Sequence, residues 1–79
     1  MPVTVNLSTT LRKCVPDYQP EQGLTMDLGH IQSVLDLARA IGLPIEDIKI
    51  SMLNGRRVEL NTPVSDGDRV GFFPAVGGG

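Results

Sequence analysis

The sequence has one cysteine, Cys14, one histidine, His30, and no tryptophan among 79 residues. A single thiol excludes an internal disulfide and a multi-thiolate metal site, and an isolated imidazole supplies no ligand cluster. Cys14 reads as a small, half-buried side chain and His30 as a loop residue. No apolar run approaches the roughly 20 residues of a membrane span. The opening MPVTVNLSTT has neither the basic nor the apolar region of a secretory signal, so the expected location is cytoplasmic. Neither charge dominates: seven Lys and Arg stand against nine Asp and Glu, a net charge of -2. The basic residues form no stripe of the kind that phosphate contacts demand, which argues against nucleic acid as a partner.

Catalytic constellations are missing as well. No serine or cysteine has an evident histidine partner, and no glycine loop opens a helix as phosphate sites require. Asp66 and Asp68 flank Gly67, but a pair of carboxylates in a three-residue turn makes no calcium loop and is expected to be solvated. The chain is not expected to have an active site of its own.

What is there is a patterned small domain. A chain of this length buries only about 60% of its unfolded surface, so the core must be well organised. Val3, Val5 and Leu7 alternate with Thr4, Asn6 and Ser8, the period of a half-buried strand. Leu11 to Gln22 contains Pro16 and Pro20 and reads as a long loop with one helical turn at Leu11 to Cys14. Leu24, Met26 and Leu28 predict a second strand, antiparallel to the first. The period then changes: Ile31, Val34, Leu35, Ala38 and Ile41 fall on one helix face, and a capping Ser33 and a stopping Gly42 and Pro44 set the helix at about Val34 to Ile41. Two turns of helix are not stable alone and must lie across a sheet. Ile48, Ile50 and Met52, the turn pair Asn54 and Gly55, then Val58 and Leu60 predict a hairpin. After a turn at Ser65 to Asp68, Val70 and Phe72 share one face of a last strand and Phe73 takes the other.

The order β-β-α-β-β-β predicts an α+β fold with a mixed sheet and one main helix packed on it, a β-grasp or ubiquitin-like roll. A folded body over residues 1–74 gives way to a Gly-rich tail over 75–79. Phe73 is expected to be exposed, and an exposed aromatic near a functional tail marks a contact. Pro74 has no amide donor and ends ladder pairing. From Pro74 to Gly79 the chain could reach roughly 20 Å at about 3.4 Å per residue. Gly78 and Gly79 are narrow enough to enter a slot that any Cβ would block, and Gly79 carries a carboxylate at the tip. A carboxylate joined to AMP becomes a mixed anhydride, open to attack by a persulfide, thiol or amine. For Gly77, a third glycine, no physical role emerges beyond added flexibility.

The run VSDGDRVGFFPAVGGG resembles the C-terminal signature of the molybdopterin synthase small subunit and related sulfur carriers, in which a D-G-D turn leads to an F-F-P strand end and a terminal Gly-Gly. SVLDLARAIGLP and MLNGRRVEL follow in the family's order, so the resemblance covers about the last fifty residues. It departs from the family at Gly77 and at Ala75, and is weaker from Leu11 to Gly23. It implies that the Gly79 carboxylate is adenylated, with ATP, by a ubiquitin-activating-enzyme-like partner and converted to a thiocarboxylate by a persulfide donor. The chain itself would bind no cofactor. The resemblance further implies insertion into the large synthase subunit, with Phe73, Pro74 and Val76 lining the docking surface and Gly78 giving slender access. Two alternatives stand beside it: a thiamin, tRNA-thiolation or protein-conjugation carrier with the same tail chemistry, and a non-covalent β-grasp binding module.

Overall fold

The computed structural model describes residues 2–16, 18–19 and 21–74. Strand β1 (Val3–Leu7) turns Val3, Val5 and Leu7 inward, each at most 2% exposed, while Thr4 and Asn6 face the other way. Strand β2 (Leu24–Met26) runs antiparallel to it, with Val3 opposite Met26 and Val5 opposite Leu24. Gly23 leads into β2 at φ +73°, and a Cβ there would stand 2.7 Å from both the Val5 carbonyl oxygen and Asn6 Oδ1. Only glycine fits where one backbone approaches another this closely.

The loop between these strands is more ordered than the spacing predicts. Its helical turn is a 3₁₀ segment that starts two residues earlier, Thr9–Cys14, and Leu11 drives into the core at 2% exposure. With Leu11 inward, Arg12, Lys13 and Cys14 are left exposed, so Cys14 is not the half-buried residue expected. β2 stops opposite Val5, which leaves the Leu7 backbone without a strand partner on that side. Side chains take its place: the Leu7 N–H donates to Tyr18 Oη at 2.8 Å and Arg12 Nε donates to the Leu7 carbonyl at 2.9 Å. The Arg12 guanidinium sits 5.9 Å from the Tyr18 ring centroid, within cation–π range. A bare stretch of strand edge is thereby covered from within the chain.

Helix α1 (Val34–Ile41) has the expected limits. Ser33 Oγ accepts the Asp36 N–H at 3.2 Å, and Asp36 Oδ2 accepts the Gln32 N–H at 3.2 Å, a reciprocal cap. Gly42 and Leu43 return their N–H groups to the Ala38 carbonyl at 3.1 and 3.0 Å. Two further donors at the helix start, Val34 N–H and Leu35 N–H, go to the carbonyls of Thr62 and Leu60, so the segment beyond the hairpin satisfies amides that a helix start leaves free. Strand β4 (Arg56–Val58) accordingly ends before Leu60, whose carbonyl is occupied with the helix instead of a ladder. A short 3₁₀ turn, Ile45–Asp47, which the pattern did not reveal, joins α1 to strand β3 (Ile48–Leu53).

Strands β3 and β4 form the expected antiparallel hairpin, closed by Asn54 and Gly55 at φ 52° and 85°. Both positive values match the mirror-image turn that suits hairpin twist. Strand β5 (Arg69–Pro74) enters the middle of the sheet, parallel to β1 and antiparallel to β3, giving the order β2-β1-β5-β3-β4. Val34, Leu37 and Ala38 of the helix join Val3, Val5, Val70 and Phe72 in one buried cluster. Buried Ser51 donates its hydroxyl to the Val58 carbonyl at 2.8 Å, and no buried side-chain polar atom among the described residues lacks a partner. A mixed five-stranded sheet wrapped on one helix is the β-grasp, ubiquitin-like fold.

Candidate functional site

The period-two alternation of β5 splits its aromatic pair. Phe72 is fully buried, whereas Phe73 is 40% exposed and is the large hydrophobic side chain that stands exposed among the described residues. Phe73 lies opposite Ile50, and Gly71 opposite Met52. A methyl added at Gly71 would lie 3.4 Å from Phe73 Cε1 and 3.8 Å from Met52 Cβ. The ring therefore leans back over Gly71, which gives it room, and meets the β3 side chains.

The partners on β3 owe their position to an irregularity. Simple alternation puts Ile48, Ile50 and Met52 on one face, but the register shifts between Ile48 and Ile50. Ile48 packs against the core, as do Leu53 and Val58, while Ile50 and Met52 stay half-buried on the sheet face away from the helix. An extra residue in one strand has this effect: it re-aims the side chains beyond it. The result is an apolar stripe of Ile50, Met52 and Phe73 across the two central strands.

Cations border this stripe. Arg57 lies directly across from Met52, and Arg69 shares the Phe73 face of β5, opposite Thr4; both are exposed. Beside the stripe a shallow cleft of about 170 Å³ is lined by Lys49, Ile50, Arg57 and Glu59 among others. An apolar centre with a charged rim is the usual anatomy of a protein contact surface. Among the described residues no group of three His, Cys, Asp or Glu side chains converges to hold a metal.

A family model described as Mut7-C ubiquitin matches residues 1–77. The chain belongs to the Mut7-C ubiquitin family. No curated protein sequence matches it. Among solved structures, the HVO 2177 protein of Haloferax volcanii superposes with a TM-score of 0.68 at 23% identity, over 100% of this chain and 87% of that one. That likeness is one of fold. A chain from the complex of subunits 1 and 2 of molybdopterin-converting factor from Helicobacter pylori superposes with a TM-score of 0.57 at 25% identity, over 100% of both chains.

In this Mut7-C ubiquitin chain the expected docking residues take different places. Phe73 faces outward as expected. Pro74 is buried on the opposite face, in register with Ile48, at the end of β5. Val76, Gly78 and Gly79, with the whole expected tail over 75–79, lie outside the described residues. Ile50 and Met52 were not anticipated as surface partners of Phe73, because the bulge that turns them outward leaves no local sequence signal. Cys14 and His30 are exposed, and the exposed Asp66 lies in the expected turn, where Ser65 N–H donates to Asp68 Oδ2 at 2.8 Å. Among the described residues no helix is long and apolar enough to cross a membrane.

Proposed function

We propose that this Mut7-C ubiquitin protein is a sulfur carrier. In this reading a ubiquitin-activating-enzyme-like partner joins the Gly79 carboxylate to AMP, releasing pyrophosphate from ATP. The terminal sulfur of a persulfide donor then attacks the acyl carbon and AMP leaves. A thiol takes the donor's inner sulfur as a disulfide, and the chain is left with a thiocarboxylate. The acceptor is a molybdopterin precursor, to which the chain delivers sulfur as the small subunit of molybdopterin synthase.

The observation that carries this reading is the placement of Phe73. It stands exposed beside Ile50 and Met52 at the end of β5, immediately before the glycine-rich segment. A body that presents an apolar contact surface where a slender acyl donor begins lets a partner grip the one and react with the other. The full-length likeness to a chain from the complex of two molybdopterin-converting factor subunits supports a large-subunit partner.

Incubation with ATP, a persulfide donor and a cognate activating enzyme, followed by intact mass measurement, tests the proposal. The expected result is the mass gain of one oxygen replaced by sulfur, located at Gly79 by fragmentation. A chain that yields neither adenylate nor thiocarboxylate is not a carrier. It would instead be a non-covalent β-grasp module.

A further inference from the structure

The turn between β3 and β4 holds the one Asn-Gly pair of the sequence, Asn54 and Gly55; Asn6 and Asn61 are followed by Leu7 and Thr62. This pairing is chemically labile, because glycine leaves its own amide nitrogen unshielded beside the preceding carboxamide. Both residues are exposed. Yet the Asn54 side chain is held at both ends. Its Oδ1 accepts the Arg69 N–H at 2.9 Å and its Nδ2 donates to Asp68 Oδ1 at 2.9 Å. The donor on one side and the carboxylate on the other fix which end is oxygen and which nitrogen. Asp68 is itself steadied by the Ser65 N–H, and the Asn54 N–H donates to the Arg69 carbonyl at 2.8 Å. The turn is thus latched to the start of β5.

We propose that Asn54 is a modification site, where spontaneous deamidation proceeds at a rate set by the Asp68 latch. In the reaction the Gly55 amide nitrogen, giving its proton to solvent base, attacks Asn54 Cγ. A new N–Cγ bond forms, the Cγ–Nδ2 bond breaks, and Nδ2 leaves as ammonia after taking a proton from water. Water then opens the succinimide at either carbonyl, giving aspartate or isoaspartate, and no oxidation state changes. Cγ must rotate toward Gly55 for attack, and the two hydrogen bonds oppose that rotation. The leaving nitrogen is the atom Asp68 holds. Once formed, the new carboxylate faces Asp68 with no donor between them, so the reaction removes the latch that restrained it and loosens the entry to β5.

The test follows the intact chain in mildly alkaline buffer by peptide mass mapping, which locates the gain of about one mass unit and separates isoaspartate from aspartate. Asp68→Ala is compared with Asp66→Ala, a change in the same turn at a residue with no hydrogen bond to Asn54. The expected result is product confined to Asn54, with Asp68→Ala faster by roughly tenfold, the factor that loss of one charge-assisted hydrogen bond gives, and Asp66→Ala unchanged. Far-UV circular dichroism confirms that each variant is folded. The proposal is overturned by equal rates in wild type and Asp68→Ala, by equal acceleration in Asp66→Ala, by parallel modification of Asn61, or by no product at Asn54 in any variant.

Discussion

Phe72 and Phe73 are neighbours in sequence with the same side chain, and exchanging each for alanine isolates what facing inward or outward is worth. Phe72 is fully buried among Val5, Val34 and Leu37. Phe72→Ala removes a core ring and leaves a cavity that a β-sheet cannot collapse to fill, a cost of about 3–5 kcal/mol. Against a total of about 4–12 kcal/mol for a chain of this length, that leaves a protein near its unfolding threshold. Phe73 is 40% exposed, so only part of the about 2–3 kcal/mol for a fully buried ring is at stake, and an open sheet face leaves no sealed cavity. Phe73→Ala should cost about 1–2 kcal/mol. Urea unfolding monitored by far-UV circular dichroism measures both, with an unchanged slope confirming that the same surface is exposed on unfolding. The order should invert in a binding assay with the activating enzyme or the large subunit, where Phe73→Ala weakens association in a chain that remains folded. Equal destabilisation by the two substitutions would refute the assignment of Phe73 to the outer face. A folded Phe73→Ala protein with unaltered binding to both partners would refute its role in docking.

Gly23→Ala would force a Cβ to within 2.7 Å of the Val5 carbonyl oxygen at a positive φ and should cost at least about 2 kcal/mol by thermal or chemical unfolding; a neutral result would mean that β2 does not approach β1 as described. Tyr18→Phe leaves the Leu7 N–H without its acceptor and should lower stability by about 1–2 kcal/mol, with hydrogen exchange accelerated at Leu7 specifically. An unchanged Leu7 exchange rate would show that the loop does not cap that strand edge. Gly79→Val should abolish thiocarboxylate formation and leave the melting temperature unchanged, and loss of folding in that variant would instead make the terminal residues structural.

Local signals placed what local forces decide. Ser33, Gly42 and Pro44 bracket α1 at its observed limits because capping hydrogen bonds are made within a few residues of the helix. Asn54 and Gly55 marked the hairpin because only their backbones accept its turn. The outward placement of Phe73 followed from strand alternation alone. Features made by distant partners stayed hidden. Leu60 alternates like a strand residue, but its carbonyl serves the Leu35 amide. Tyr18 sits in a proline-rich stretch with nothing to show that its hydroxyl will find Leu7. The bulge between Ile48 and Ile50 is fixed by pairing with β5, so the contact stripe of Ile50, Met52 and Phe73 became visible only when the two strands were brought side by side.

Among the described residues, the strand that fills the middle of the sheet is the last of the five in chain order. β1 is the first of them, yet its parallel neighbour is β5, with Val5 paired to Val70 across most of the described chain. Until β5 arrives, β1 with β2 and β3 with β4 are two separate ribbons, neither large enough to be stable in water. The domain therefore has no complete core until β5 joins, and its folding rate is set by closing that long loop. A prematurely terminated product that lacks β5 would lack both the core and the contact stripe. Such a fragment could neither persist as a folded body nor compete with the finished protein for its partners.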